Sequence, residues 1–177
     1  MTYSIVTVPR TGSHYLQERL LQHTGVLIYK YHNPQPNKII TIARDPRDTI
    51  ASDLSMASFF RGNYDNDDVQ KTIDAVYKLY QYVSQADITI DYDDLISFPY
   101  ETTKALAEAM GIKIKTDKYI TRILDDPKNK HMTSSKNLTH YQEILCLLED
   151  YDISPIYDIY HKMLAKAIKP RGISNPI

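Results

Sequence analysis

Arg44 and Ser52 are the residues whose types and spacing could most plainly do chemistry. Arg44 follows the apolar, β-branched run Ile39-Ile40-Thr41-Ile42-Ala43 and precedes Asp45-Pro46-Arg47-Asp48. The first stretch reads as a strand buried in a parallel sheet. The second reads as a helix start: Asp45 suits the N-cap, Pro46 the first helical position, where no N–H is needed, and Asp48 completes an acidic first turn. Arg44 is thereby expected at the carboxyl end of a strand, beside a helix N-terminus whose free N–H groups and dipole favour an anion. Ser52 lies two turns into that helix. The chemistry implied is the binding of a phosphate.

A second junction of the same kind opens the chain. Ser4-Ile5-Val6-Thr7-Val8 is strand-like, Pro9-Arg10-Thr11-Gly12-Ser13 is a turn, and His14 to His23 is helix-like. Gly12 would let the backbone approach a phosphate closely, the N–H groups of Ser13 and His14 would point at it, and Arg10 would add charge and bidentate hydrogen bonds. Two such turns imply two phosphates.

The remaining elements must position these turns. In the first helix Leu16, Leu20 and Leu21 read as inward and Gln17, Glu18 and Arg19 as outward, with Gly25 as C-cap. A strand is expected over Val26 to Tyr31, then the Pro-rich turn Asn33 to Asn37. The acidic stretch Gly62 to Asp68 is read as a solvated connection carrying a helix cap, since a Ca²⁺ loop would need a downstream bidentate Glu that is absent. Val69, Ile73, Val76, Tyr80 and Val83 mark an amphipathic helix over 68–85, and Ile88-Thr89-Ile90 a strand ending at Tyr92. Helices are expected over 100–110 and 117–125, the latter burying Ile120, Ile123 and Leu124. A polar loop follows over 126–137, and a last helix begins at Ser154-Pro155, with Ser154 as cap and Pro155 at the first helical position.

These residues resemble a known family. Pro9-Arg10-Thr11-Gly12-Ser13-His14-Tyr15-Leu16 is similar to the 5′-phosphosulfate loop of sulfotransferases, written P-K/R-S/T-G-S/T-S/T-aromatic-L. Arg44 to Ser52, R-D-P-R-D-T-I-A-S, resembles their 3′-phosphate motif, in which the arginine and serine stand eight apart as here. Tyr29-Lys30-Tyr31-His32 looks like the K-x-H at the end of a strand, and Asp91-Tyr92-Asp93-Asp94-Leu95 is similar to the family's Y-E-D-L. The helix after that motif ends in Met110-Gly111-Ile112, as in the family. The resemblance covers residues 3 to about 112 and departs from the family in two ways. The segment between the first two motifs, part of which usually lines the acceptor pocket, is short, and the late R-K-G sequence is missing.

The resemblance implies one domain over 1–177, of α/β class: a three-layer α/β/α, P-loop-like fold with a short central parallel sheet and a helical last third. It implies sulfuryl transfer from 3′-phosphoadenosine 5′-phosphosulfate to an acceptor hydroxyl or amine, without a metal. Arg10, with the amides of Thr11, Gly12, Ser13 and His14 and the Ser13 hydroxyl, would hold the 5′-phosphate and the sulfuryl group. Arginine does not readily give up its proton, so Arg10 would act as an electrostatic clamp. Arg44 and Ser52 would hold the 3′-phosphate, and Ser134, Ser135 and Lys136 would stand in for R-K-G. Tyr15 would stack on adenine with Tyr92 as second contact. His32 would be the general base, with His14 as its competitor, and Lys30 would help neutralise the sulfuryl group.

Composition sets bounds on this reading. With 177 residues and 42% hydrophobic content the chain can bury a sizeable core, and a formal net charge of −1 gives no general field for nucleic acid. The basic residues fall at expected strand ends and form no face with interleaved aromatics, which argues against a nucleic-acid module. The single cysteine, Cys146, excludes an internal disulfide and reads as a packed thiol, fitting a reducing compartment. Neither a leader nor an apolar run near about 18 residues is found, so a cytoplasmic location away from the membrane is expected. Fifteen tyrosines and no tryptophan decide nothing by themselves. A P-loop kinase is disfavoured because the first turn lacks the G-K-S/T ending. A non-catalytic nucleotide-binding protein of the same fold is the alternative. For the acceptor, a sugar, phenol, small alcohol or peptide all fit.

Overall fold

The computed structural model describes residues 2–61, 65–114 and 141–170. In chain order its elements are β1 (Tyr3–Val6), α1 (Ser13–Thr24), β2 (Lys30–Tyr31), β3 (Lys38–Ala43), α2 (Pro46–Arg61), α3 (Asn66–Val83), β4 (Ile88–Asp91), α4 (Tyr92–Ser97) and α5 (Pro99–Ala109), then α6 (Tyr141–Leu147), a 3-10 turn (Leu148–Asp150) and α7 (Ser154–Ala165). The four strands are all parallel, in the order β2-β1-β3-β4.

Because side chains alternate along a strand, the two faces of the sheet receive different residues. Val6, Val8, Ile39 and Ala43 face a core completed by α2, α3, α6 and α7. Ile5, Ile40, Ile42, Ile88 and Ile90 face a second core completed by Leu16 and Leu20 of α1, Leu95 of α4 and Leu106 of α5. The stripe Val69, Ile73, Val76, Tyr80 and Val83 of α3 is buried, as its spacing predicts. Asp65 begins that helix with a capping box shared with Asp68.

The helix after β1 therefore lies on one face and the helix after β3 on the other, although β1 and β3 are neighbours. Adjacent parallel strands whose helices leave to opposite faces open a crevice at their carboxyl ends. This crevice places both expected anion-binding turns side by side. The path from β2 back to β3 through residues 32–37 is short for a parallel crossover. It is held by the Tyr82 hydroxyl, which accepts from the Gln35 N–H at 3.0 Å and donates to the Gln35 carbonyl at 3.2 Å, and by Asn37 Nδ2, which donates to Ser4 Oγ at 3.1 Å.

Four local expectations are corrected. In α1 the inward and outward sets differ from the leucine pattern: Arg19 is buried at 3% exposure and Leu21 is 44% exposed. The guanidinium of Arg19 lies 4.7 Å from the centre of the Tyr15 ring, so its charge is spent against an aromatic face while its stem packs. The strand expected over 26–31 shrinks to Lys30–Tyr31, with Tyr29 adding only a carbonyl that accepts from the Ile5 N–H at 2.9 Å. Val26, Leu27 and Tyr29 remain exposed at that edge. Cys146 is exposed, because the inward positions of short α6 are taken by Tyr141 and Ile144. Ser154 is the first residue of α7, with Ile153 at the N-cap; the Asp152 carboxylate accepts from both the Ser154 N–H at 3.0 Å and its hydroxyl at 2.6 Å. The helix expected over 117–125 and the loop over 126–137 lie outside the described residues, and with them Ser134, Ser135 and Lys136. Among the described residues no helix is long and apolar enough to cross a membrane.

Candidate functional site

The turn from β1 into α1 is built by two left-handed residues. Arg10 has φ 66° and Gly12 φ 82°. Glycine adopts this conformation freely, but for an arginine it costs about 1–2 kcal/mol. Inside the turn, the buried Thr11 hydroxyl donates to the Val8 carbonyl at 2.8 Å. Gly12 is the N-cap of α1 and has no side chain to cap that helix end, so among the described residues its first N–H groups have no side-chain cap. Ser13 is buried at the same end.

The turn from β3 into α2 follows the expected pattern. Asp45 Oδ1 accepts the Asp48 N–H at 3.1 Å, a side-chain cap of the helix start, and Pro46 opens the helix. Arg44 is 3% exposed. Its Nη1 donates to the Arg10 carbonyl, its Nη2 lies 3.7 Å from Asp48 Oδ2, and its guanidinium packs 4.5 Å from the centre of the Tyr92 ring. Arg44 Nε has no hydrogen-bond partner among the described residues. Ser52, fully buried, accepts from Arg10 Nε at 3.4 Å. Arg10, Arg44, Ser52 and Tyr92 thus converge, although they come from the ends of β1, β3 and β4 and from α2. Among the described residues this buried cation has one long carboxylate contact and a free donor, an incomplete compensation that suits an anionic ligand.

His32 sits at the end of β2 with its Nδ1 2.9 Å from the Thr7 carbonyl. A carbonyl can only accept, so Nδ1 carries a proton, and in the neutral imidazole Nε2 then holds the lone pair that a general base needs. Lys30 is exposed two residues earlier on the edge strand. His14 is exposed, and its Nε2 pairs with Glu18 Oε1 at 3.0 Å along the helix surface, which is where an i,i+4 pair meets. Tyr15 is half-buried with Arg19 against its ring. Tyr92, expected as a nucleotide contact, is found supporting Arg44.

Several participants were not picked out from the sequence. Asp53, next to Ser52 on α2, is close enough to Arg10 and His32 to interact with both: burial raises its carboxyl above the ordinary value, and Arg10 and then His32 oppose that rise. The Tyr80 hydroxyl, buried, donates to the Arg44 carbonyl, and burial pushes its pKa up. Tyr157 donates to Asp45, 3.0 Å from both carboxylate oxygens; burial and the Asp45 charge push its phenol up to about 12. Tyr141 donates to Asp48 Oδ1 at 2.6 Å. The one available signal was the tyrosine count, which says nothing about which tyrosines meet the junction.

No family model matches this chain, and no curated protein is found similar to it.

Proposed function

We propose that the chain is a sulfotransferase of P-loop-like fold, transferring a sulfuryl group from 3′-phosphoadenosine 5′-phosphosulfate to an acceptor hydroxyl or amine. The observation that carries this reading is the meeting of the two turns: Arg10 Nε reaches Ser52 Oγ at 3.4 Å, and Arg44 donates to the Arg10 backbone carbonyl. The two phosphate-binding motifs of the resemblance are 34 residues apart at their arginines, yet they share one crevice.

In this reading the uncapped N-terminus of α1 and Arg10 take the 5′-phosphate end of the donor, while Arg44 and Ser52 take the 3′-phosphate. Arg44, fixed by the Arg10 carbonyl and by Tyr92, offers Nε and the remaining edge of its fork without paying to order a long side chain. The acceptor oxygen attacks sulfur as its proton passes to His32 Nε2. The new O–S bond forms as the S–O bond to the bridge oxygen breaks, and adenosine 3′,5′-bisphosphate leaves. Negative charge builds on the bridge oxygen, where Arg10 and the α1 amides meet it.

The test is calorimetric titration of adenosine 3′,5′-bisphosphate, with 5′-AMP as control and no Mg²⁺, against the unaltered chain and Arg44→Lys and Arg44→Ala. Charge-assisted hydrogen bonds contribute about 1.5–3 kcal/mol each, so Arg44→Ala should lower bisphosphate affinity by at least about tenfold and remove the preference over 5′-AMP. Arg44→Lys should fall between. An unchanged preference in Arg44→Ala would remove the assignment.

A further inference from the structure

Two acidic residues follow Arg44, Asp45 at the cap of α2 and Asp48 in its first turn, and an i,i+4 arginine–aspartate pair would ordinarily close to hydrogen-bond distance, about 2.7–2.9 Å. Here Arg44 Nη2 and Asp48 Oδ2 stand 3.7 Å apart, while the other oxygen of the same carboxylate takes a hydrogen bond of 2.6 Å from the Tyr141 hydroxyl. Asp45 is treated alike by Tyr157. The first turn of α2 is acidic next to a buried arginine, and both carboxylates are engaged by neutral tyrosine hydroxyls from α6 and α7. Tyr141 is 1% exposed and cannot easily turn to another partner.

We infer that Tyr141 is a positioning residue that holds the Asp48 carboxylate off Arg44, and so sets how strongly the crevice binds a phosphate or sulfate group. Asp48 competes with any anion for the guanidinium. While its Oδ1 is bound to Tyr141 it satisfies its charge on the α6 side, and the Arg44 fork keeps donors for the ligand. Without that hydroxyl the carboxylate has one fewer donor, and Arg44 Nη2 stands 3.7 Å away to replace it. The residue acts through Asp48 and need not touch the ligand. This rests on the reading of Arg44 as an anion-binding residue.

The experiment uses the full chain and the variants Tyr141→Phe, Asp48→Asn and the double variant, titrated with adenosine 3′,5′-bisphosphate, 5′-AMP and inorganic sulfate, with thermal unfolding to confirm that each is folded. Tyr141→Phe should weaken bisphosphate and sulfate about tenfold, the worth of one hydrogen bond to a charged group, and leave 5′-AMP unchanged. Asp48→Asn in that background should restore the affinity, because the competing charge is gone; lost packing alone would not be repaired by it. The inference is overturned if Tyr141→Phe binds like the unaltered chain, or if the double variant stays as weak as Tyr141→Phe. If the bisphosphate binds no better than sulfate, the nucleotide reading fails while the sulfate titrations still decide the role of Tyr141. If neither anion binds, both fall.

Discussion

The left-handed backbone at Arg10 gives a prediction in which function and stability part. At φ 66° any side chain with a Cβ is strained by about 1–2 kcal/mol, and glycine is not. Arg10→Gly removes that strain and gives back about 0.5–1 kcal/mol through the greater freedom of the unfolded chain. Arg10→Ala keeps the strain and the stiffer unfolded chain. Both lose the Arg10 Nε to Ser52 Oγ hydrogen bond, which at 3.4 Å is long and contributes at most about 0.5 kcal/mol. The backbone carbonyl that accepts from Arg44 is kept in both. Arg10→Gly should therefore be more stable than Arg10→Ala by about 0.5–1 kcal/mol, or about 1–4 °C in the unfolding midpoint of a chain this size. Under the proposed function both should lose sulfuryl transfer alike, because the cation assigned to the bridge oxygen is gone. The assay is urea unfolding followed by far-ultraviolet circular dichroism, run beside a transfer assay with labelled donor. If Arg10→Ala equals or exceeds Arg10→Gly in stability, the turn is not left-handed at this position and its description as a strained cradle fails.

Two further outcomes are expected. Under the proposed function His32→Ala should lower turnover by about 10²–10⁴ while adenosine 3′,5′-bisphosphate binds as before, since that reading assigns the Nε2 lone pair to the acceptor and not the nucleotide; retained turnover would place the base elsewhere. His23 is 1% exposed, and burial, then the Arg19 charge, lower its pKa. The folded chain then binds fewer protons at His23 than the unfolded chain below the ordinary histidine range, so stability is full above that range and falls as pH drops through it, from about 7 to 5. Urea midpoints at those two pH values should show the fall, and His23→Gln should reduce it; an equal fall in the variant would assign the pH dependence to other groups.

Much of the architecture was legible because it depends on local pattern. The β-branched apolar runs of β1 and β3, the Asp45-Pro46 helix start, the Gly25 cap and the α3 stripe are each decided by backbone sterics and by local runs or repeats of apolar residues, and both properties are written in neighbouring residues. The same holds for the two strand-to-helix turns, since a strand end followed by a helix start is a local event. Where the reading failed, a partner distant in sequence had the decisive part. Arg19 reads as a surface charge until the Tyr15 ring and the surrounding packing take it in. The edge segment 26–29 has the composition of a strand, but among the described residues β1 is the one strand beside it, and few of its backbone groups find a ladder there.

The sequence by itself determined which residues could meet an anion and on what kind of element each would sit, because residue type and short-range spacing set charge, hydrogen-bonding capacity and helix or strand preference. Only the tertiary structure decided that Arg10, Arg44 and Ser52 share one crevice, that Tyr92 supports Arg44, and that Tyr80, Tyr141 and Tyr157 lock the first turn of α2 from α3, α6 and α7. Those contacts depend on strand order and on which face each helix covers. Both are settled by long-range burial of the two cores, to which no single stretch of sequence holds the key.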